Sequence, residues 1–194
     1  MSIVVLISGN GSNLQALIDA KLPIAAVISN TPDAFGLQRA TQAAIPTHCI
    51  DHRDFQDRES FDQALGHCID QYAPQWIVLA GFMRLLSAAF VSRYTNQIIN
   101  IHPSLLPKYP GLNTHQRALD AGDVLHGITI HIVTEALDAG PTLAQEALCI
   151  APDDTAETLQ RRIQRLEHLL YPKVLRTLLH SSDSSKPTSK KHHI

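Results

Sequence analysis

Cysteine is scarce in this chain. Cys49, Cys68 and Cys149 are three in number, and no two of them form a C-x-x-C pair. A disulfide scaffold and a structural zinc site are excluded as organising principles, which fits a reducing cytosol. Charge of one sign is lacking too: 16 Lys and Arg stand against 18 Asp and Glu, a formal charge of −2. Nothing there argues for nucleic acid or a membrane surface as partner, and an anionic ligand would need a local site. The N-terminus has no basic segment leading an apolar stretch, and no apolar run approaches bilayer-spanning length. The expected location is the cytoplasm, and the expected partners are small molecules. Internal repeats are absent.

What remains is an ordinary globular composition, 44% hydrophobic over 194 residues, enough for one domain with a sizeable core. Residues 3–7 (IVVLI) form a continuous apolar run, the pattern of a strand buried on both faces. They run into Ser8-Gly9-Asn10-Gly11-Ser12-Asn13, and a helix is expected from 14 to 18. Strand, Gly-rich turn and helix N-terminus together make an anion site, because free backbone N–H groups converge and the helix dipole favours negative charge. The turn is not G-x-G-x-x-G, since Leu14 holds the third glycine position, and no P-loop lysine follows. A dinucleotide is therefore not implied, and a plain tight βα turn would look similar.

Further strands are expected at 24–28, at 48–50 and, most strongly, at 76–80. Helices are expected at 34–43 and 55–72. Phe82-Met83-Arg84-Leu85-Leu86 makes a loop of unusual apolarity, which must either pack or bind something. A short helix should run from Thr114 to Ala121. The segments 127–133 and 141–150 read as strands joined too closely for a helical crossover, so they should pair antiparallel. Asp154 and Glu157 mark a helix start, with Leu159, Ile163, Leu166 and Leu170 as its buried stripe. Pro172 should break or kink that helix before a last turn reaching His180. Residues 181–194, rich in Ser and Lys, read as a disordered tail. Alternating strands and helices predict a mostly parallel sheet with helices on both faces and an antiparallel C-terminal strand.

The chemistry concentrates in residues 98–111, Ile-Ile-Asn-Ile-His-Pro-Ser-Leu-Leu-Pro-Lys-Tyr-Pro-Gly. Side chains alternate across a strand, so Asn100 and His102 share one side while Ile99 and Ile101 face the other. Pro103 ends sheet hydrogen bonding and keeps His102 extended. An amide and an imidazole are thus presented side by side at a strand end, where open α/β sheets place ligands. His126 and His131 fall in no paired metal-ligand motif, and no metal is expected.

The Asn-x-His-Pro-Ser-Leu-Leu-Pro run resembles the signature of folate-dependent formyltransferases. Across residues 1–180, expected to form a single Rossmann-like domain, the chain is similar to the phosphoribosylglycinamide formyltransferase family. Residues 7–15, residues 79–84 and the Leu137-Asp138-Ala139-Gly140-Pro141 run match its phosphate turn, folate loop and catalytic-aspartate segment. The resemblance implies transfer of a formyl group from 10-formyltetrahydrofolate, as cosubstrate, to the amine of glycinamide ribonucleotide in purine biosynthesis. It implies Asn100, His102 and Asp138 as catalytic residues, with Asp138 favouring the charged imidazole. It assigns Gly11, Ser12 and Asn13 to the phosphate, and Glu167 and Gln164 to the ribose. Arg58 falls near the folate's acidic tail, while residues 83–86 (Met83, Arg84, Leu85, Leu86) and 134–138 (Thr134, Glu135, Ala136, Leu137, Asp138) line the pterin pocket together with Asn100. For Glu167 the alternative is a solvated helix face. Where bacterial members often have His and Gly, this chain carries Asn113 and Ala139, and both positions border the site. A monomer or weak homodimer is expected.

Three alternatives stay open. Methionyl-tRNA formyltransferase normally adds a basic C-terminal domain, and formyltetrahydrofolate hydrolase an N-terminal regulatory one, so size argues against both. A non-catalytic phosphate-binding α/β module would explain the Gly9–Asn13 turn but not the placing of Asn100, His102 and Asp138.

Overall fold

The computed structural model describes residues 1–181; of the tail expected over 181–194, Ser181 ends a helix instead and the rest lies outside the described residues. Seven strands form one sheet: β1 (Ile3–Ile7), β2 (Ile24–Ser29), β3 (Thr47–Cys49), β4 (Trp76–Leu79), β5 (Ile98–His102), β6 (Leu125–Ile132) and β7 (Thr142–Cys149). The six helices are α1 (Ser12–Asp19), α2 (Phe35–Gln42), α3 (Arg58–Asp70), α4 (Ala88–Arg93), α5 (Thr114–Asp120) and α6 (Ala156–Ser181). The strand order is β3-β2-β1-β4-β5-β6-β7. The strands from β3 to β5 pair parallel, β5–β6 and β6–β7 pair antiparallel, and β6 is therefore the reversed strand.

Period-2 alternation divides the core. Ile3, Val5 and Ile7 pack on one face with Leu14 and Leu17 of α1 and Leu159, Ile163, Tyr171 and Leu175 of α6. Val4 and Leu6 pack on the other with Phe61, Leu65 and Ile69 of α3 and Phe90 of α4. All five residues of β1 are fully buried, as the apolar run requires. Chain direction turns around β1, with β2 on one side and β4 on the other, and ligands of open α/β sheets bind at such a switch point.

Two expectations about α6 are corrected. Pro172 does not break it: the helix continues through the proline to Ser181. Proline removes one N–H from the ladder, but Leu175 and Leu179 beyond it are buried, and Tyr171 anchors its hydroxyl on the carbonyls of Leu79 (2.9 Å) and Ile99 (3.1 Å). The buried stripe also differs. It recurs every fourth residue as Leu159, Ile163, Glu167, Tyr171, Leu175 and Leu179, while Leu166 and Leu170 are only partly buried. A carboxylate thus occupies a core position. Of the other helices, α3 starts at Arg58 rather than near 55, because Asp57 caps it by accepting from Ser60 N–H at 2.7 Å.

Candidate active site

The turn after β1 is built by close backbone approach. Gly11 is left-handed (φ 71°) and forms the N-cap of α1. A Cβ there would lie 2.7 Å from Gly36 Cα, so two glycines let α1 and α2 approach at the turn. Arg39, from α2, braces the same turn: its Nε donates to the Asn10 carbonyl at 2.8 Å and its Nη1 to Gln15 Oε1 at 3.2 Å. Beyond the turn, Asn13 Nδ2 donates to Glu167 Oε2 at 2.9 Å. Glu167 is 7% exposed, which decides against a solvated helix face. Burial pushes its carboxyl up to about 7, opposed only by the Asn13 hydrogen bond. Asn13 Oδ1 is buried without a hydrogen-bond partner, an acceptor waiting for a donor. Gln164 is half-buried one turn earlier on α6 and does not line the main cavity. A smaller hollow at this turn is lined by Ser12, Gln15, Arg39 and His168.

The main cavity, about 760 Å³, gathers Asn100, His102, Asp138, Arg58, residues 83–86 and residues 134–138. Its rim is unusually apolar: Met83, Leu85, Leu112 and Leu137 are all more than half exposed. The apolar loop divides: Met83 and Leu85 face the opening, while Phe82 and Leu86 pack against the core. Ser8 Oγ accepts from Met83 N–H at 2.8 Å and donates to Asn30, tying that loop to the β1 turn. Arg84 lies over the Phe61 ring, 4.8 Å from its centroid, with Nε buried and unpartnered. Asn113, also lining the cavity, is left-handed and caps α5.

At the cavity floor His102 donates from Nε2 to the Tyr109 carbonyl at 2.8 Å. A carbonyl only accepts, so the neutral ring carries its proton on Nε2 and leaves Nδ1 bare. That nitrogen lies 3.4 Å from Asp138 Oδ2, and the two side chains are 6% and 8% exposed. Asp138 Oδ2 also accepts from the Gly111 N–H at 2.8 Å. Burial holds the His102 pKa below its ordinary value, against the Tyr109 carbonyl and the Asp138 carboxylate, both of which raise it. Asp138 thus acts in the expected direction, but burial outweighs it and the resting ring is mostly neutral at pH 7. Burial pulls the Asp138 carboxyl up, yet the His131 ring, the Gly111 N–H and the His102 ring together hold it below its ordinary value.

His131 was missed as a site residue. It pairs directly across from Asn100 in the antiparallel β5–β6 register. Its Nδ1 lies 3.0 Å from the Ile132 carbonyl, which fixes the proton there, and its bare Nε2 accepts from Asn100 Nδ2 at 3.2 Å. The amide is thereby oriented with its second N–H free. Arg39 was missed too, having no motif; only topology brings it to the turn. A second histidine pair, His115 Nδ1 and His126 Nε2 at 3.0 Å, is held neutral: burial, then His115, push His126 down to about 4. Among the described residues no cluster of His, Cys, Asp or Glu is arranged to hold a metal, and no helix is long and apolar enough to cross a membrane.

With that geometry in hand, comparison with known proteins is informative. The formyl transferase family profile matches residues 1–175. The chain is 54% identical over 181 residues to phosphoribosylglycinamide formyltransferase of Escherichia coli K12, covering 90% of this chain and 85% of that one. Similarity to the enzyme of that name from Haemophilus influenzae is 46% over 180 residues, with the same coverage. Among solved structures, phosphoribosylglycinamide formyltransferase of Coxiella burnetii superimposes with a TM-score of 0.87 at 58% identity, covering 90% of this chain and 85% of that one.

Proposed function

The chain belongs to the formyl transferase family, and on that premise we propose that it is a cytoplasmic phosphoribosylglycinamide formyltransferase. It moves a formyl group from 10-formyltetrahydrofolate to the amine of glycinamide ribonucleotide, a step of purine biosynthesis. One observation carries the reading: a donor amide, an imidazole and a carboxylate converge in one cavity whose rim is apolar. The cavity suits a flat pterin with an acidic tail, because exposed apolar side chains flank it and Arg58 lines it. The folate supplies the activated formyl group.

The residues do the rest. Asn100 donates its free N–H where negative charge develops on the formyl oxygen. His102, mostly neutral at rest, takes the proton that the attacking amine gives up, at Nδ1 beside Asp138. Asp138 stabilises the ring while it is charged, and the same proton then passes to the departing folate nitrogen. The Gly9–Asn13 turn and the α1 N-terminus hold the phosphate, and Asn13 with Glu167 takes the ribose hydroxyls. Purified protein assayed with both substrates tests this reading. Folate product that forms only with the ribonucleotide present supports transfer. Product without it indicates a hydrolase, and no product a binding module.

A further inference from the structure

The catalytic carboxylate is held by a backbone group, and that group is itself held from outside the site. Arg117, on α5, donates from Nη1 to the Pro110 carbonyl at 2.6 Å and to the Leu112 carbonyl at 3.3 Å. These carbonyls flank Gly111, whose N–H donates to Asp138 Oδ2 at 2.8 Å. The Pro110 carbonyl and the Gly111 N–H belong to one peptide unit, which is trans and planar. They point in opposite directions from a rigid plate, so a cation fixing the carbonyl aims the N–H. The guanidinium also sits 5.2 Å from the centroid of the Tyr109 ring, and the Tyr109 carbonyl accepts the hydrogen bond from His102 Nε2. Tyr109 is itself left-handed (φ 58°), a conformation that a non-glycine residue keeps only when its surroundings impose it.

From this chain of contacts we infer that Arg117 is a positioning residue for the His102–Asp138 couple, acting through the Pro110–Gly111 peptide. The chain runs from guanidinium to carbonyl, through the peptide to N–H, and on to carboxylate. Such a series polarises each member, so the Gly111 N–H is a stronger donor than an isolated amide. Arg117 itself does not line the cavity, and the inference rests on the function proposed above only for its effect on turnover.

Arg117→Met keeps the stem of the side chain and removes the donor. The expected result is a fall in kcat of tenfold or more, with KM for the ribonucleotide within twofold of wild type. The Gly111 amide proton should move upfield in NMR spectra and exchange faster. The neutral His102 ring takes the amine proton, so the acid limb of the kcat profile reports that ring, and removing the Arg117 charge, which lowers the ring's pKa, should move the limb to higher pH. The titratable groups facing Asp138 are His102 from β5 and His131 from β6, and Arg117→Lys, which keeps the charge, should leave the limb where it is. Arg117→Lys, which can hold one carbonyl, should recover part of the loss and guards against a misfolded Met variant. Turnover within twofold of wild type in Arg117→Met overturns the inference. So does a loss of turnover with the Gly111 amide unmoved, which marks a merely structural residue. If wild type itself transfers no formyl group, the functional reading fails, while the amide response still decides the positioning claim.

Discussion

Asp138→Asn removes one charge from the couple at the cavity floor and leaves its shape. Nδ1 of His102 lies 3.4 Å from Asp138 Oδ2, and both side chains are under a tenth exposed. At an effective dielectric of ~20 a charged ring at that distance gains about 5 kcal/mol from the carboxylate. Asparagine still offers an oxygen to the Gly111 N–H and a dipole to the ring, so part of that gain survives. If about 3 kcal/mol is lost from the transition state, kcat falls by roughly two orders of magnitude. Folate affinity should change little, because the exposed apolar side chains and Arg58 that suit the cavity to a folate are untouched. The ring pKa, already below its ordinary value through burial, should fall further, since the Asp138 contribution raises it. An NMR titration reads this directly, with the His102 signal assigned by its absence in His102→Ala. An unchanged or higher pKa in Asp138→Asn would refute the electrostatic pairing and leave Asp138 a role in ordering its loop.

Three further outcomes are expected. Glu167→Gln should stabilise the protein at pH 8: the carboxyl pKa is raised from 4.5 to about 7, so its contribution is fully present below 4.5 and lost as pH rises through 7. That rise corresponds to about 3 kcal/mol; equal melting differences at pH 8 and pH 4.5 would count against it. Gly11→Ala should cost about 1–3 kcal/mol of stability, because its Cβ meets Gly36 Cα at 2.7 Å with φ at +71°, whereas Gly9→Ala meets nothing and should melt like wild type. Equal thermal stability of the two variants would show that the turn can relax. Tyr171→Phe strips the hydroxyl shared between the Leu79 and Ile99 carbonyls. It should lower stability by about 1–2 kcal/mol in urea denaturation with an unchanged slope, and no loss would mean that water replaces the hydroxyl.

Periodicity made most of the fold legible. The run at 3–7, the alternation at 127–133 and the hydrophobic spacing from 159 onward report burial directly, because burial is what apolar side chains respond to. The turn at 9–13 and the pair at Asn100 and His102 were legible because glycine and proline constrain the backbone locally. Glu167 was readable only in part. Its spacing of four from Ile163 and Tyr171 puts it in the buried stripe, but a charged residue in a helix ordinarily signals solvent. Arg39, Arg117 and His131 carried no local signal at all. Arg39 and His131 act on residues distant in sequence, brought together only by strand order and cross-strand register, and Arg117 acts on a nearby loop whose path no motif announces. Tyr109 and Asp138 are left-handed, at φ 58° and 50°; aspartate is enriched in that conformation, but nothing in the identity of Tyr109 announces the turn.

The reversal of β6 explains why the site needs such turns. Because β5 and β6 run antiparallel, Asn100 stands opposite His131 and His102 opposite Thr129. Direct opposition puts side chains of one face within contact, which is how an imidazole comes to orient the amide of Asn100. The same reversal sends the chain out of β6 beside Ile99, at the end of the strand away from His102. A loop leaving there must fold back over the sheet face to carry a carboxylate to the imidazole. The left-handed Asp138 serves that return path, and the Gly111 N–H secures its far end. Had β6 run parallel, its following loop would have emerged with the β1, β4 and β5 loops and needed no such return. By that return Asp138 reaches the Gly111 N–H, one of the groups that hold its pKa down. The return that strand direction imposes, the strained backbone and the charge state are in this way one arrangement, and loosening the 109–111 segment should disturb the last two together.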